Sequence, residues 1–145
     1  MVNRLTWKAS QYNLPTKFAF YFKDLSPDLQ QNLSKQIDKD ISGSPVLFFT
    51  KPTKEWTLIC THQVICNDTN RIINLNISDI KQILPIEFSP ALIGQPIDIG
   101  AVKKKTEWNE IKVIDKHNNS YVFHADKGQD LFALWNILLM AKGLY

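Results

Sequence analysis

The chain is poor in the residues that catalysis, metal binding and export usually demand. In 145 residues it holds only two cysteines, three histidines and five glycines. Cys60 and Cys66 cannot build a disulfide-dense secreted scaffold. The five residues between them are unlike the two-residue spacing of zinc knuckles, and no second pair follows. There is no Gly-rich phosphate loop, no Gly-x-Ser-x-Gly elbow and no His-Glu-x-x-His segment. No apolar run approaches the roughly 18 residues that span a bilayer, so no transmembrane segment is expected. The stretch Met1-Val2-Asn3-Arg4-Leu5-Thr6-Trp7-Lys8 lacks an apolar core and a cleavage pattern, so a secretory signal is not expected either. The expectation is a cytoplasmic soluble domain with free, buried thiols. A disulfide would need Cys60 and Cys66 to face each other across a hairpin.

Strong charge is also lacking. The net charge of +3 is too weak to argue for nucleic acid, which is recognised by Lys and Arg clustered on one face. Only Lys103, Lys104 and Lys105 form such a cluster. What is present is apolar material: 44% hydrophobic and 11% aromatic residues are the values of a folded domain. A single domain of this length buries roughly 68–70% of its unfolded surface, enough for a core without metals or disulfides.

The hydrophobic pattern divides the chain at residue 46 without a linker. In the N-terminal part, 1–45, the aromatic run from Lys17 to Phe22 reads as a strand, and the segment holding Trp7 and Tyr12 shows no obvious element. Ser26-Pro27-Asp28 is a helix start. Leu29, Leu33, Ile37 and Ile41 then repeat every four residues, predicting one helix that Gly43 stops.

From 46 to 145 the pattern is β-rich. Val46–Phe49 and Glu55–Thr61 read as strands around the turn Lys51-Pro52-Thr53-Lys54. His62–Cys66 either continues the second strand or turns back on it. After the turn cluster Asn67-Asp68-Thr69-Asn70, strands are expected at 71–75 and 78–84. Residues 85–105, with three prolines and two glycines, read as a long irregular connection. Thr106–Asp115 and Ser120–His124 form a hairpin. Asp126 and Gln129 fit a capping box, and Leu131, Leu134, Trp135, Leu138 and Leu139 give the last helix a broad apolar face.

Three of these segments resemble bacterial pleckstrin-homology-like and GRAM-like domains. Trp56-Thr57-Leu58-Ile59-Cys60-Thr61 is similar to a Trp-x-Leu-x-x-Thr strand of that family, Ile77-Ser78-Asp79-Ile80 to the strand that follows, and Trp108–Val113 with a Trp-bearing closing helix to its end. The resemblance implies an α+β fold: a bent antiparallel β-barrel of about seven strands, closed by the C-terminal amphipathic helix. The N-terminal helix is additional to the family plan. Lipid-binding members carry several basic residues in the first hairpin, where this chain offers only Lys51 and Lys54.

The expected function is non-catalytic binding of another protein, as in a small bacterial immunity or adaptor-type protein. No cofactor is implied. Candidate contacts are Trp108, Lys103, Lys104, Lys105 and Trp7; the expectation for Trp7 is nonetheless that it folds back on the sheet, while Trp108 could be core or a surface anchor. The alternative is an anionic lipid surface met by Lys51, Lys54 and the 103–105 lysines. A small hydrolase using His124 or Cys60 is a third reading. Cys60 and His62 share a strand face but at a spacing too long for a thiol and its base.

Overall fold

The computed structural model describes residues 1–69, 71–85 and 110–145. In chain order these form α1 (Val2–Gln11), β1 (Ala19–Tyr21), α2 (Pro27–Ser34), α3 (Lys39–Ser42), β2 (Pro45–Thr50), β3 (Trp56–Cys60), β4 (Gln63–Asn67), β5 (Ile72–Asn76), β6 (Ile80–Pro85), β7 (Ile111–Asp115), β8 (Ser120–Phe123) and α4 (Gln129–Gly143). The class is α+β, with helices at both ends of the described chain. Two antiparallel sheets carry the strands: one of five in the order β1-β2-β3-β4-β5, one of three in the order β6-β7-β8. Among the described residues no ladder joins them into a closed ring.

Alternation in β2, β3 and β4 sends side chains to two separate cores. Trp56, Leu58, Cys60, Ile65 and Phe48 meet Leu33 of α2 in the smaller one, with Phe20, Leu29 and Ile37 packed around it. Leu47, Phe49, Ile59, Val64 and Cys66 point the other way, into the larger core with α1, α4 and the second sheet. Both faces of the central strands are covered, which is why β3 is buried along its whole length. Strand β5 escapes α2, and its pattern reverts to exposed and buried in alternation.

His62 turns the chain back, so residues 63–67 are a separate strand in register with β3. Cys66 then lies opposite Thr57 in the larger core while Cys60 faces the smaller one. The thiols are free and on opposite faces of the sheet. Gly43 precedes this region at φ 77°, where a Cβ would run into the Thr61 hydroxyl and the His62 ring.

Three local expectations are corrected. Residues 2–11, read as lacking an element, are α1. Only Leu5 and Ala9 of this helix are buried, it has no side-chain cap and its first turn has no acidic residue, so its support is tertiary. The single helix expected from 26 to 41 is broken, because the Asp38 side chain accepts the Asp40 N–H and caps a new turn. Ile41 is left 58% exposed instead of joining the apolar stripe. The capping box at Asp126 does not form. Instead α4 starts from Gly128 at φ 87°, and the Asp126 carbonyl accepts the Leu131 N–H. Along α4, Ala133, Ile137 and Ala141 are buried, whereas Leu139 is 37% exposed. Trp135 ties this helix to the second sheet by donating its indole N–H to the Ile83 carbonyl at 3.2 Å.

The hairpin of β7 and β8 stands as expected, and its turn has a specific cause. The buried Asp115 carboxylate accepts the N–H groups of His117 and Asn119 and the Tyr121 hydroxyl, at 2.8–2.9 Å. Burial works to raise the Asp115 pKa, but these hydrogen bonds outweigh it and the carboxyl is held below its ordinary value.

The sheets meet through side chains. The Thr57 hydroxyl donates to the His124 carbonyl at 2.7 Å and accepts the His124 N–H at 3.0 Å, while the Cys66 thiol donates to the Val122 carbonyl at 3.6 Å. Replacing Thr57 by Val keeps the volume but strands two buried backbone groups, at about 1–3 kcal/mol for each unsatisfied group. We expect T57V to lower the unfolding free energy by about 2–4 kcal/mol, read from urea titration, and T57S to recover most of it. Equal stability of T57V and wild type would remove Thr57 from this role.

Candidate functional site

Burial of Leu5 and Ala9 sets the orientation of α1. It lies over β2, and the chain reverses through residues 12–18 so that β1 runs back toward the start of the helix. Val2, Asn3, Thr6 and Trp7 are thereby left facing Tyr21, Lys23 and Asp24 across a groove of about 540 Å³. Trp7 is 59% exposed and Val2 43% exposed at its rim. Tyr21 is half-buried against the larger core. Burial, and then the neighbouring Asp24 carboxylate, hold its phenol above the ordinary value, so it stays a neutral donor.

Main-chain geometry adds to the groove. The Thr50 N–H bonds the Phe18 carbonyl at 2.8 Å and Phe20 lies opposite Phe48, so residues 18 and 20 direct their backbone groups at β2. Ala19 and Tyr21 therefore direct theirs outward. The Ala19 carbonyl is capped by the Thr16 N–H at 2.8 Å. The Tyr21 carbonyl is the N-cap of the 3₁₀ turn Phe22–Asp24, so both outward carbonyls of β1 are taken up by turns.

A second, smaller groove of about 260 Å³ runs along Thr16, Phe18 and the start of α4. Its notable group is Asp130, whose two carboxylate oxygens each lie 2.9 Å from the Thr16 hydroxyl. Burial raises the Asp130 pKa against the pull of that bond. The pair joins α4 to the connection before β1, which is a sufficient role for it.

Among the described residues the cysteines and histidines stand as follows. Burial pushes the Cys60 thiol up to about 12 and Cys66 to about 11, far from a nucleophilic thiolate at neutral pH. His117 is exposed in a turn, and His62 is engaged with the Tyr145 hydroxyl at 2.8 Å. His124 is 8% exposed and its Nδ1 has no hydrogen-bond partner among the described residues. Among the described residues no group of three His, Cys, Asp or Glu side chains could hold a metal ion. No described helix is long and apolar enough to cross a membrane.

Of the residues singled out in the sequence, Trp7 enters the groove. Lys51 and Lys54 lie on the β2–β3 turn, beyond Thr50 and so at the far end of β1 from Tyr21. Lys51 helps lower the Glu55 pKa there, after the larger effect of the Thr53 hydroxyl. Trp108, Lys103, Lys104 and Lys105 fall outside the described residues, as does most of the 85–105 connection. Tyr21, Lys23 and Asp24 were missed. Recognising Leu5 and Ala9 as a buried i, i+4 pair would have placed Trp7 on the open side of a helix.

No family model, curated protein or solved structure matches this chain.

The buried His124 gives a pH test of the seam beside it. Burial is the main cause that lowers its pKa from 6.5, followed by Lys51, against the pull of Glu55, Glu110 and Asp68. Its folded pKa lies below the unfolded value, so its stabilising share is complete above the unfolded pKa of about 6.5. That share is lost as pH falls through the folded pKa. Thermal unfolding should therefore show a decline below about pH 6.5 that H124Q largely removes. An unchanged acid profile in H124Q would assign the decline elsewhere.

Proposed function

We propose that the protein is a non-catalytic protein-binding module whose contact surface is the α1–β1 groove. The carrying observation is Trp7, which stands 59% exposed beside a groove instead of packing on the sheet. Tryptophan is the side chain most enriched among interface anchors, because it buries a large rigid area at low entropic cost. Val2 and Tyr21 extend the apolar contact, and Asn3, Thr6, Lys23 and Asp24 supply a polar rim.

A small cytoplasmic immunity or adaptor-type protein of bacterial origin is the concrete form of this reading. A pleckstrin-homology-like barrel capped by the last helix is the fold proposed with it. The two meandering antiparallel sheets, the interlock of β8 with β3 and the packing of α4 on β6 support that assignment. A hydrolase gains nothing from thiols raised to about 12 and about 11.

The test compares wild type and W7A as baits in native lysate at physiological salt. W7A alters an exposed side chain, so thermal unfolding should be unchanged. A stoichiometric partner held by wild type and at least tenfold depleted with W7A is the expected result. Equal recovery by both baits would overturn the groove. An empty eluate together with salt-sensitive sedimentation on anionic liposomes would favour the lipid surface instead.

A further inference from the structure

We infer that two copies of this chain pair through the outer edge of β5, antiparallel about a twofold axis at Asn74, so that their five-stranded sheets run on into one another. This surface is the opposite edge of the sheet from β1 and is independent of the α1–β1 groove. Strand β5 is bonded on one side only, to β4. At its two ends the Ile77 N–H bonds the His62 carbonyl at 2.9 Å and the Asp68 N–H bonds the Arg71 carbonyl at 3.2 Å. With the unbroken register between them, these bonds turn the backbone groups of Ile73 and Leu75 toward β4 and those of Ile72, Asn74 and Asn76 outward. The Asn76 carbonyl is used as the N-cap of the 3₁₀ turn Ile77–Asp79. Both groups of Ile72, both of Asn74 and the Asn76 N–H meet no backbone partner among the described residues.

Sheet edges that stay single are normally blunted by a charged side chain, a proline, a bulge or a covering element. Elsewhere in this molecule that is so: turns take the outward carbonyls of β1, and Thr57 and Cys66 bond the main chain at the end of β8. Strand β5, Ile72-Ile73-Asn74-Leu75-Asn76, has no charge and no proline, and its ladder with β4 has no bulge. Asn74 and Asn76 stand exposed on it.

A second copy is the occupant because this edge is complementary to itself. With the axis at Asn74, Asn74 meets its own counterpart and Asn76 lies opposite Ile72 of the second copy. Asn74 then exchanges both its main-chain bonds with its counterpart, and each Asn76 N–H reaches an Ile72 carbonyl. A side-chain amide is donor and acceptor at once, so it can pair with its own copy across the axis. The charges lie at the two ends of the strand and differ in sign. Arg71 precedes β5 with its side chain 69% exposed, and Asp79 follows it, its carboxylate 3.3 Å from the Asn76 amide nitrogen. Antiparallel pairing therefore sets the Asp79 end of each copy beside the Arg71 end of the other, whereas parallel pairing would set like ends together. The 3.8 Å pair of Arg71 with Asp68 is a surface contact of the weak kind, and a guanidinium has donors enough for a second carboxylate.

Sedimentation of the full chain from micromolar to millimolar concentration should show a monomer–dimer equilibrium. N74K and N74D each set like charges opposite one another at the axis and should each weaken self-association by roughly tenfold or more. Asn74 is exposed, so thermal unfolding of both variants should match wild type. An equimolar mixture of N74K and N74D should recover association to within about threefold of wild type, because the opposed charges now attract. In wild type, where no variant can misfold, hydrogen exchange at the Ile72, Asn74 and Asn76 amides should slow as concentration rises. A chain monomeric throughout the range, or a dimer that N74K and N74D leave as tight as wild type, would overturn pairing through β5. Weakening in both variants without recovery in the mixture would overturn the axis at Asn74. W7A should dimerise like wild type, so failure of either reading leaves the other standing.

Discussion

Two sheets without a shared backbone ladder need another connection, and Thr57 supplies it. Its hydroxyl takes the place of a strand by bonding both the N–H and the C=O of His124. Cys66, opposite Thr57 on β4, repeats the device more weakly at the Val122 carbonyl. Three main-chain groups at the free edge of β8 and just past it, the Val122 carbonyl and the His124 N–H and C=O, are thus bonded by side chains that project from the inner face of the larger sheet. A free edge otherwise invites pairing with another chain. Here the same two contacts protect that edge and fix the angle at which the second sheet meets the first.

The rest of the core follows from that junction. Once β8 is held over β3 and β4, the second sheet and α4 cover one face of the five-stranded sheet, and the Trp135 indole bond to Ile83 locks α4 to β6. Only the opposite face then needs a cover, and α2 provides it through Leu33. Covering both faces makes β3 and β4 nearly continuous apolar runs, which explains two buried thiols with strongly raised pKa values. These cysteines are small core side chains, and their chemistry is suppressed by where they sit.

Legibility in the sequence tracked how local each cause is. The β7–β8 hairpin was readable because its determinants, the turn residues and the flanking alternation, lie within a dozen positions. The strands from 46 to 84 were readable in part: the turn-back at His62 was left open, and the expected start at Ser78 falls in a 3₁₀ turn, Ile77–Asp79, before β6. Helix α1 was not, because two buried side chains and tertiary contacts with α4 and β2 hold it. The break between α2 and α3 hid behind a good four-residue repeat. A single Asp38 side chain outweighed that repeat by offering the backbone a local bond. At Asp126 the capping pattern was present, yet the chain turned through Gly128 first. The candidate groove was half visible. Trp7 stood out as an aromatic without an element, while Tyr21 and Lys23 belong to the site only because β1 folds back beside α1.

Exposure of an apolar side chain carries little meaning alone, since Ile41, Ile72 and Leu139 are exposed too. Trp7 differs in what surrounds it. The isoleucines and Leu139 line neither of the two grooves, whereas Trp7 stands over one whose other wall is Tyr21, Lys23 and Asp24. The opening follows from the fold in two steps. The 3₁₀ turn after Tyr21 ends β1 early, and α1, whose buried side chains are Leu5 and Ala9, settles on α4 and β2. Closing the groove would take only a longer β1 or a bulkier contact between α1 and Tyr21. Neither is present, so the one large aromatic in α1 stays open beside Tyr21.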